Sequence, residues 1–111
     1  MFAGCSKLTE VVGLDNVTSV GDQAFIGCTS LTSVSLPNVT TVGNSAFALC
    51  EKLTVVSAEN LAEAGDSAFS GANITNVNLP RLSVIGEEAF ADSYGIVTVK
   101  LGAVTKMGAN V

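Results

Sequence analysis

The side chains best suited to chemistry in this 111-residue chain are three cysteines and a scattering of carboxylates. Cys5, Cys28 and Cys50 follow one another at intervals of 23 and 22 residues. Thiols can bind a soft metal ion or form a disulfide bond. The chain contains no histidine, which removes the commonest general base and metal ligand. The composition therefore predicts a protein that is not an enzyme, has no catalytic residues and uses neither a cofactor nor a metal.

The positions of the cysteines recur further along the chain as Ala72 and Ser93. Because alanine and serine also fill these positions, the pattern does not require sulfur. Stacked at a strand spacing of about 4.8 Å, two cysteines could be bridged. Three in one row would leave one unpaired, so we expect free and mostly buried thiols.

Acidic residues near the predicted turns raise the alternative of a calcium site: Asp22, Asp66, Glu87 and Glu88. The glycine-rich nonapeptide of calcium-binding β-rolls is absent from the sequence. Asp and Asn are also favoured at helix N-caps. We therefore interpret Asp22, Asn44 and Asp66 as caps of short helical turns, and Glu87 as a poorer cap at the same position.

Charge and hydropathy bear on two classes of partner. The chain has five basic and ten acidic residues, a net charge of −5, whereas binding to a phosphate backbone needs a basic face. No apolar run approaches the roughly 20 residues of a membrane span. The first residues lack a basic segment followed by an apolar one, so no signal peptide is predicted. We expect neither nucleic-acid binding nor membrane insertion.

An internal repeat positions all of these residues. The stretch VGDQAFIGC at 20–28 recurs as VGNSAFALC at 42–50, AGDSAFSGA at 64–72 and IGEEAFADS at 85–93. The repeat length is 21 to 23 residues, and apolar residues recur in phase. This period predicts a solenoid, in which each coil buries its apolar side against the coils above and below. The column that opens each coil consists of Leu8, Leu31, Leu53, Ile74 and Ile96.

Each coil combines three local patterns. LTSVSLP at 31–37 alternates and ends at a proline, which predicts a strand. VTTVG at 39–43 predicts a second short extended segment, and NSAFALC at 44–50 predicts one helical turn. The chain is predicted to be a single solenoid domain over 1–111, with repeats at 8–30, 31–52, 53–73 and 74–95 and half-repeats at 1–7 and 96–111.

The repeated phrase L-x-x-V-x-L-P-x-V-x-x-V-G-x-x-A-F-x-x-C resembles the BspA-like class of leucine-rich repeats over nearly the whole chain. The resemblance implies a leucine-rich-repeat solenoid of the α/β class, dominated by strands. Its parallel β-sheet would cover one face, with one short helical turn in each of about five coils. It also implies an extracellular or cell-surface protein that binds host or matrix protein. The third repeat departs from the pattern at Ala58, Glu59 and Ala64, and we expect it to be underpacked.

The ends of the sequence carry the first function hypothesis. Solenoids normally need capping repeats, and this chain begins and ends inside a repeat with none visible. The two half-repeats together have the length of one coil, which predicts head-to-tail assembly of this chain with itself into a structural filament. A piece cut from a longer repeat array could also begin and end with half-repeats that add up to one coil. The predicted assembly interface comprises Met1, Phe2, Cys5, Leu8, Val11, Val99, Leu101, Val104, Met107 and Val111.

The strand surface carries the second function hypothesis, adhesion to another protein. Its outward positions are rich in hydroxyl groups and nearly uncharged, which suits a weak, multipoint binding surface but also an ordinary exposed sheet. The possible ligand face comprises Thr9, Thr32, Ser33, Ser35, Thr54, Ser57, Thr75, Asn76, Asn78 and Thr98.

Overall fold

The computed structural model describes residues 3–11, 14–93, 98–101 and 103–109, with the backbone alone described at 76–77 and 98–101. The described chain winds through stacked coils, most of which contribute two short strands and a run of turns. The strands are β1 (Glu10–Val11), β2 (Ser19–Val20), β3 (Ser33–Ser35), β4 (Thr41–Val42), β5 (Val55–Ser57), β6 (Glu63–Ala64), β7 (Asn76–Leu79), β8 (Val84–Ile85), β9 (Thr98–Leu101) and β10 (Lys106–Met107).

The strands form two parallel ladders along the solenoid. The odd ladder consists of β1, β3 and β5, followed by a separate pair of β7 and β9. It is interrupted between β5 and β7, where the repeat shortens to 21 residues. The even ladder is continuous, in the order β2, β4, β6, β8, β10, and pairs Val20 with Val42 and so on to Met107. The predicted solenoid is confirmed, with four complete turns from β2 to β10 rather than about five coils.

The prediction of one helical turn per coil is wrong: the described residues contain no helix. In the second coil, the N–H groups of Ser45, Phe47 and Leu49 donate to carbonyls of the following coil, each at 2.8 Å. Ser45 and Leu49 have φ angles of 55° and 62°, in the left-handed region that a right-handed helix excludes. Alternate N–H groups thus extend the hydrogen bonding between coils, and a helix would forfeit these bonds. Nor is there, among the described segments, any helix long and apolar enough to cross a lipid bilayer.

The interpretation of Asp22, Asn44 and Asp66 as helix caps is wrong as well. Each side-chain Oδ1 accepts a hydrogen bond from the backbone N–H of the equivalent residue one coil later. Asp22 accepts from Asn44 at 2.8 Å, Asn44 from Asp66 at 2.9 Å, and Asp66 from Glu87 at 2.9 Å. These side chains therefore connect successive coils instead of beginning a helix within one.

The core is built from columns of like side chains. Phe25, Phe47, Phe69 and Phe90 form a continuous stack, with neighbouring ring centroids 5.1 to 5.4 Å apart and planes within 7° of parallel. Fully buried leucines belong to the same core cluster as the stack. In the third coil Ala58 and Ala64 occupy the core with exposures of 1% and 2%, and its underpacking stays a prediction.

Candidate assembly and ligand surfaces

The cysteine column is part of the core. All three cysteines are thiols, Cys28 and Cys50 are completely buried, and Cys5 is half-buried. The Cys50 Sγ donates to the carbonyl of Phe25 at 3.2 Å. Burial raises the pKa of Cys50 to about 11 and also raises the pKa of Cys28, so both stay protonated and unreactive at neutral pH. Within the described ranges, no three His, Cys, Asp or Glu side chains are arranged to hold a metal ion.

Two hydroxyl groups of the predicted ligand face bond to the backbone of the preceding coil. Thr32 Oγ1 donates to the carbonyl of Thr9 at 3.0 Å, and Thr54 Oγ1 donates to the carbonyl of Thr32 at 3.4 Å. A threonine at the start of a strand thereby adds a side-chain bond to the backbone bonds between coils. The exposed members of the predicted face are Thr9, Thr32, Ser57 and Asn78, and the half-buried ones are Ser33, Ser35, Thr54 and Thr75; the side chains of Asn76 and Thr98 lie outside the described residues.

The ligand face also contains a residue that the sequence-based selection omitted. Val55 lies in β5 with 56% of its surface exposed, paired in register with Ser33. It occupies the outward position where the other described coils carry a polar residue. The alternation of side-chain direction along the strand was the sequence signal that placed Val55 on this face.

β2 forms one edge of the even ladder. In the next coil, the N–H of Thr40 donates to the carbonyl of Thr18 at 2.9 Å, and the N–H of Gly43 donates to that of Val20 at 2.8 Å. The same two bonds recur along the ladder, always from the later coil to the earlier. At the edge, the corresponding donors are the N–H groups of Thr18 and Gly21, which face the side where an earlier rung would lie.

An apolar recess of about 110 Å³ lies beside this edge. Leu14 and Val17 are only half-buried, whereas Leu36 and Val39 in the same columns one coil later are completely buried. Sequence reasoning placed Cys5, Leu8 and Val11 at this end, and the structure packs all three against the core, partly exposed. It predicted none of the residues that line the recess, which are Leu14, Val17, Ser19, Val20, Gly21, Ala24 and Phe25.

The glycine that follows each even strand shows where coils approach most closely. A Cβ atom on Gly65 would lie 2.5 Å from Asn44 Oδ1 and 2.8 Å from Asn44 N, which is closer than such contacts allow. A Cβ atom on Gly21 would have no neighbour within 4 Å. The column therefore requires glycine only where an earlier coil lies against it.

β10 forms the opposite edge of the even ladder. Met107 is 54% exposed, although Val42 and Ile85 in the same column are 3% and 1% exposed. Val104 packs partly buried against the core. Val99 and Leu101, also predicted for the assembly interface, lie in β9, and their side chains are outside the described residues. Met1, Phe2 and Val111 lie entirely outside the described residues.

Parallel ladders, a stacked aromatic column and repeat-spaced glycines define a leucine-rich-repeat solenoid. The BspA type leucine rich repeat region matches residues 1–111 in six copies, so the chain belongs to this family. No curated protein sequence matches the chain significantly.

Two solved structures share the fold. A leucine-rich repeat protein from Bacteroides ovatus is 22% identical, with a TM-score of 0.70 over 97% of this chain and 41% of its own. A leucine rich cell surface protein from Faecalibacterium prausnitzii is 21% identical, with a TM-score of 0.56 over 85% of this chain and 39% of its own. The present chain therefore spans about two fifths of the length of these proteins.

Proposed function

We propose that the protein is a structural module of an extracellular or cell-surface assembly, and that it stacks end to end with further copies of itself into a filament. The observation that carries this proposal is the complementarity of the two edges of the even ladder. The Faecalibacterium protein's description as a cell surface protein supports the location. We propose no catalytic role.

The backbone groups of the two edges match. The β2 edge offers the N–H groups of Thr18 and Gly21, and the β10 edge offers the carbonyls of Thr105 and Met107, which occupy the acceptor positions of the repeat. Stacking the β2 edge of one copy on the β10 edge of another would continue the ladder with two donors facing two acceptors. An unpaired parallel edge of this kind is a template for another strand.

The apolar surfaces of the two edges match as well. The recess beside β2 lacks the side chains of an earlier coil, and the β10 edge exposes Met107 and part of Val104 in the columns of Val20 and Val17. Methionine is flexible enough to fill an irregular gap. The contact is heterologous, so it generates a ring or an open fibre according to its rotation. Further coils of one longer chain would cover the same edges, and the experiment below separates the two cases.

The test is negative-stain electron microscopy of the untagged chain over a concentration series, with sedimentation velocity at each concentration. The proposal predicts thin, unbranched fibres whose length increases with concentration. The control is Val104→Asp, which places a charge in the stacking surface and should remain folded by circular dichroism while forming no fibres. Monodisperse monomers at every concentration would contradict self-assembly and favour a module of a longer array.

A second candidate function is binding of a host or matrix protein through the odd-ladder face. The observation that favours it is Val55, a large apolar side chain with 56% exposure among hydroxyl-bearing neighbours. Val55→Asp should abolish capture of such a partner on an immobilised surface and leave fibre formation intact. Unchanged capture by this variant would remove the face from consideration.

A further inference from the structure

The charges in the first and last coils differ in sign, although the exposed Lys7 precedes the first coil at the same end. Residues 10–22 contain Glu10, Asp15 and Asp22 but no basic residue, whereas residues 94–111 contain two lysines but no acidic residue. The side chains of the three acidic residues and of Lys106 are exposed. Opposite charges favour contact between the first and last coils, while contact between two first coils would bring like charges together.

The even ladder has a constant register. Ser19 pairs with Thr41, Thr41 with Glu63, Glu63 with Val84, and Val84 with Lys106. One more rung in the same register would place the Ser19 position beside Lys106. Parallel neighbours of this kind lie about 4.8 Å apart.

We propose that the stack has a fixed polarity and register: Lys106 of one copy lies beside Ser19 of the next, with the basic last coil against the acidic first coil. This inference rests on the proposed function and adds which residues meet. In this register Met107 lies beside Val20 at the apolar recess. Gly21 lies beside Gly108, where a Cβ atom would approach the neighbouring backbone as at Gly65.

A mixed crosslinking experiment tests the register and the polarity together. Two single variants, Ser19→Cys and Lys106→Cys, are made in a Cys5→Ala background, because alanine already fills the equivalent position at residue 72. Both new cysteines replace exposed edge residues, and the remaining native cysteines are completely buried. Each variant alone and an equimolar mixture are oxidised under assembly conditions and separated on a non-reducing gel.

The inference predicts a disulfide-linked dimer in the mixture and at least about tenfold less in either variant alone, because only head-to-tail contact joins the two positions. Efficient crosslinking of Ser19→Cys or Lys106→Cys alone would overturn the polarity. Fibres without a crosslink in the mixture would overturn the register while leaving end-to-end stacking in place. Absence of any assembly by the wild-type chain would overturn the inference together with the proposed function.

Charge reversal provides a second measurement that does not depend on oxidation. Lys106→Glu should raise the concentration needed for assembly by about tenfold, and Ser19→Lys should do the same by placing two lysines side by side. The double variant creates an opposite-charge pair at this contact and should assemble nearly as well as the wild type. Equal assembly of all four proteins, or additive losses in the double variant, would contradict the contact between these positions.

Discussion

The first and second coils carry the same apolar columns but differ in burial. Leu36, Val39 and Phe47 of the second coil are completely buried, while Leu14 and Val17 of the first are half-buried and Phe25 retains 5% exposure. The side chains are alike, so the difference comes from the neighbouring coil that the first rung of the described structure lacks. Burial in a solenoid belongs to the interface between coils and not to the coil itself.

The glycine column provides the sharpest test of this comparison. Gly65→Ala should destabilise the protein by about 4 kcal/mol or more, because the new Cβ atom would meet the backbone of the preceding coil. Gly21→Ala should leave the monomer's free energy of unfolding nearly unchanged, since its Cβ atom would meet nothing. Urea unfolding of dilute protein measures both. Equal destabilisation by the two substitutions would show that the first rung already has a neighbour.

The leucine column should show the same contrast with a smaller effect. Leu36→Ala removes a completely buried side chain and should cost about 2–5 kcal/mol. Leu14→Ala truncates a half-buried side chain and should cost roughly 1 kcal/mol. The measurement is again urea unfolding below the concentration of assembly. A larger destabilisation by Leu14→Ala than by Leu36→Ala would contradict the open first coil.

Leu49 is the exception within its own column. Its φ is 62°, in the left-handed region where the coils on either side carry Gly27 and Gly71, and its side chain is 54% exposed. Leu49→Gly should stabilise the protein by about 1 kcal/mol, because glycine tolerates this conformation and little burial is lost. Leu49→Ala is the control, which retains a Cβ atom and should give no such gain. Thermal unfolding of both variants measures these changes in stability. A lower stability of Leu49→Gly than of the wild type would show that the Leu49 side chain contributes packing.

The cysteine column gives the smallest effect, a difference in labelling rates without a change in stability. At pH 8 in dilute protein, a maleimide should modify Cys5 at least about tenfold faster than Cys28 or Cys50, which are completely buried. Raising the pH towards 11 should increase the rate at Cys50 as its thiol ionises. Peptide mass spectrometry reports each site. Comparable rates at all three cysteines at pH 8 would contradict the closed inner coils.

The repeat columns were sufficient to predict the solenoid, because one coil cannot bury its apolar side alone, whereas stacked coils bury it against each other. The two strand segments at 31–37 and 39–43 were correctly predicted from the alternation of residues and from the proline and glycine that end them. β3 and β4 lie within these segments. The helical turn was wrong because Asn44 and the Ala-Phe stretch are local helix signals. The structure instead has a hydrogen bond from Phe47 to the next coil. This bond joins residues that are 21 apart in the sequence, so local helix propensity does not predict it.

The edges were predictable only in part for the same reason. Sequence reasoning identified Cys5, Leu8, Val11 and the columns ending at Met107, because they continue the repeat. It did not predict the recess around Leu14 and Val17, since their exposure depends on which neighbouring coil is present rather than on their identity. The outward position of Val55 followed from alternation, but its exposure of 56% needed the structure.

End-to-end stacking adds another rung of the same ladder to the β2 edge. Amide hydrogen exchange of the wild-type chain at two concentrations, below and above assembly, tests this stacking. The N–H groups of Thr18 and Gly21 should become protected at the higher concentration, while those of Gly43 and Gly65, already bonded to the preceding coil, should be protected at both. Unchanged exchange at Thr18 and Gly21 in a sample that contains fibres would contradict it.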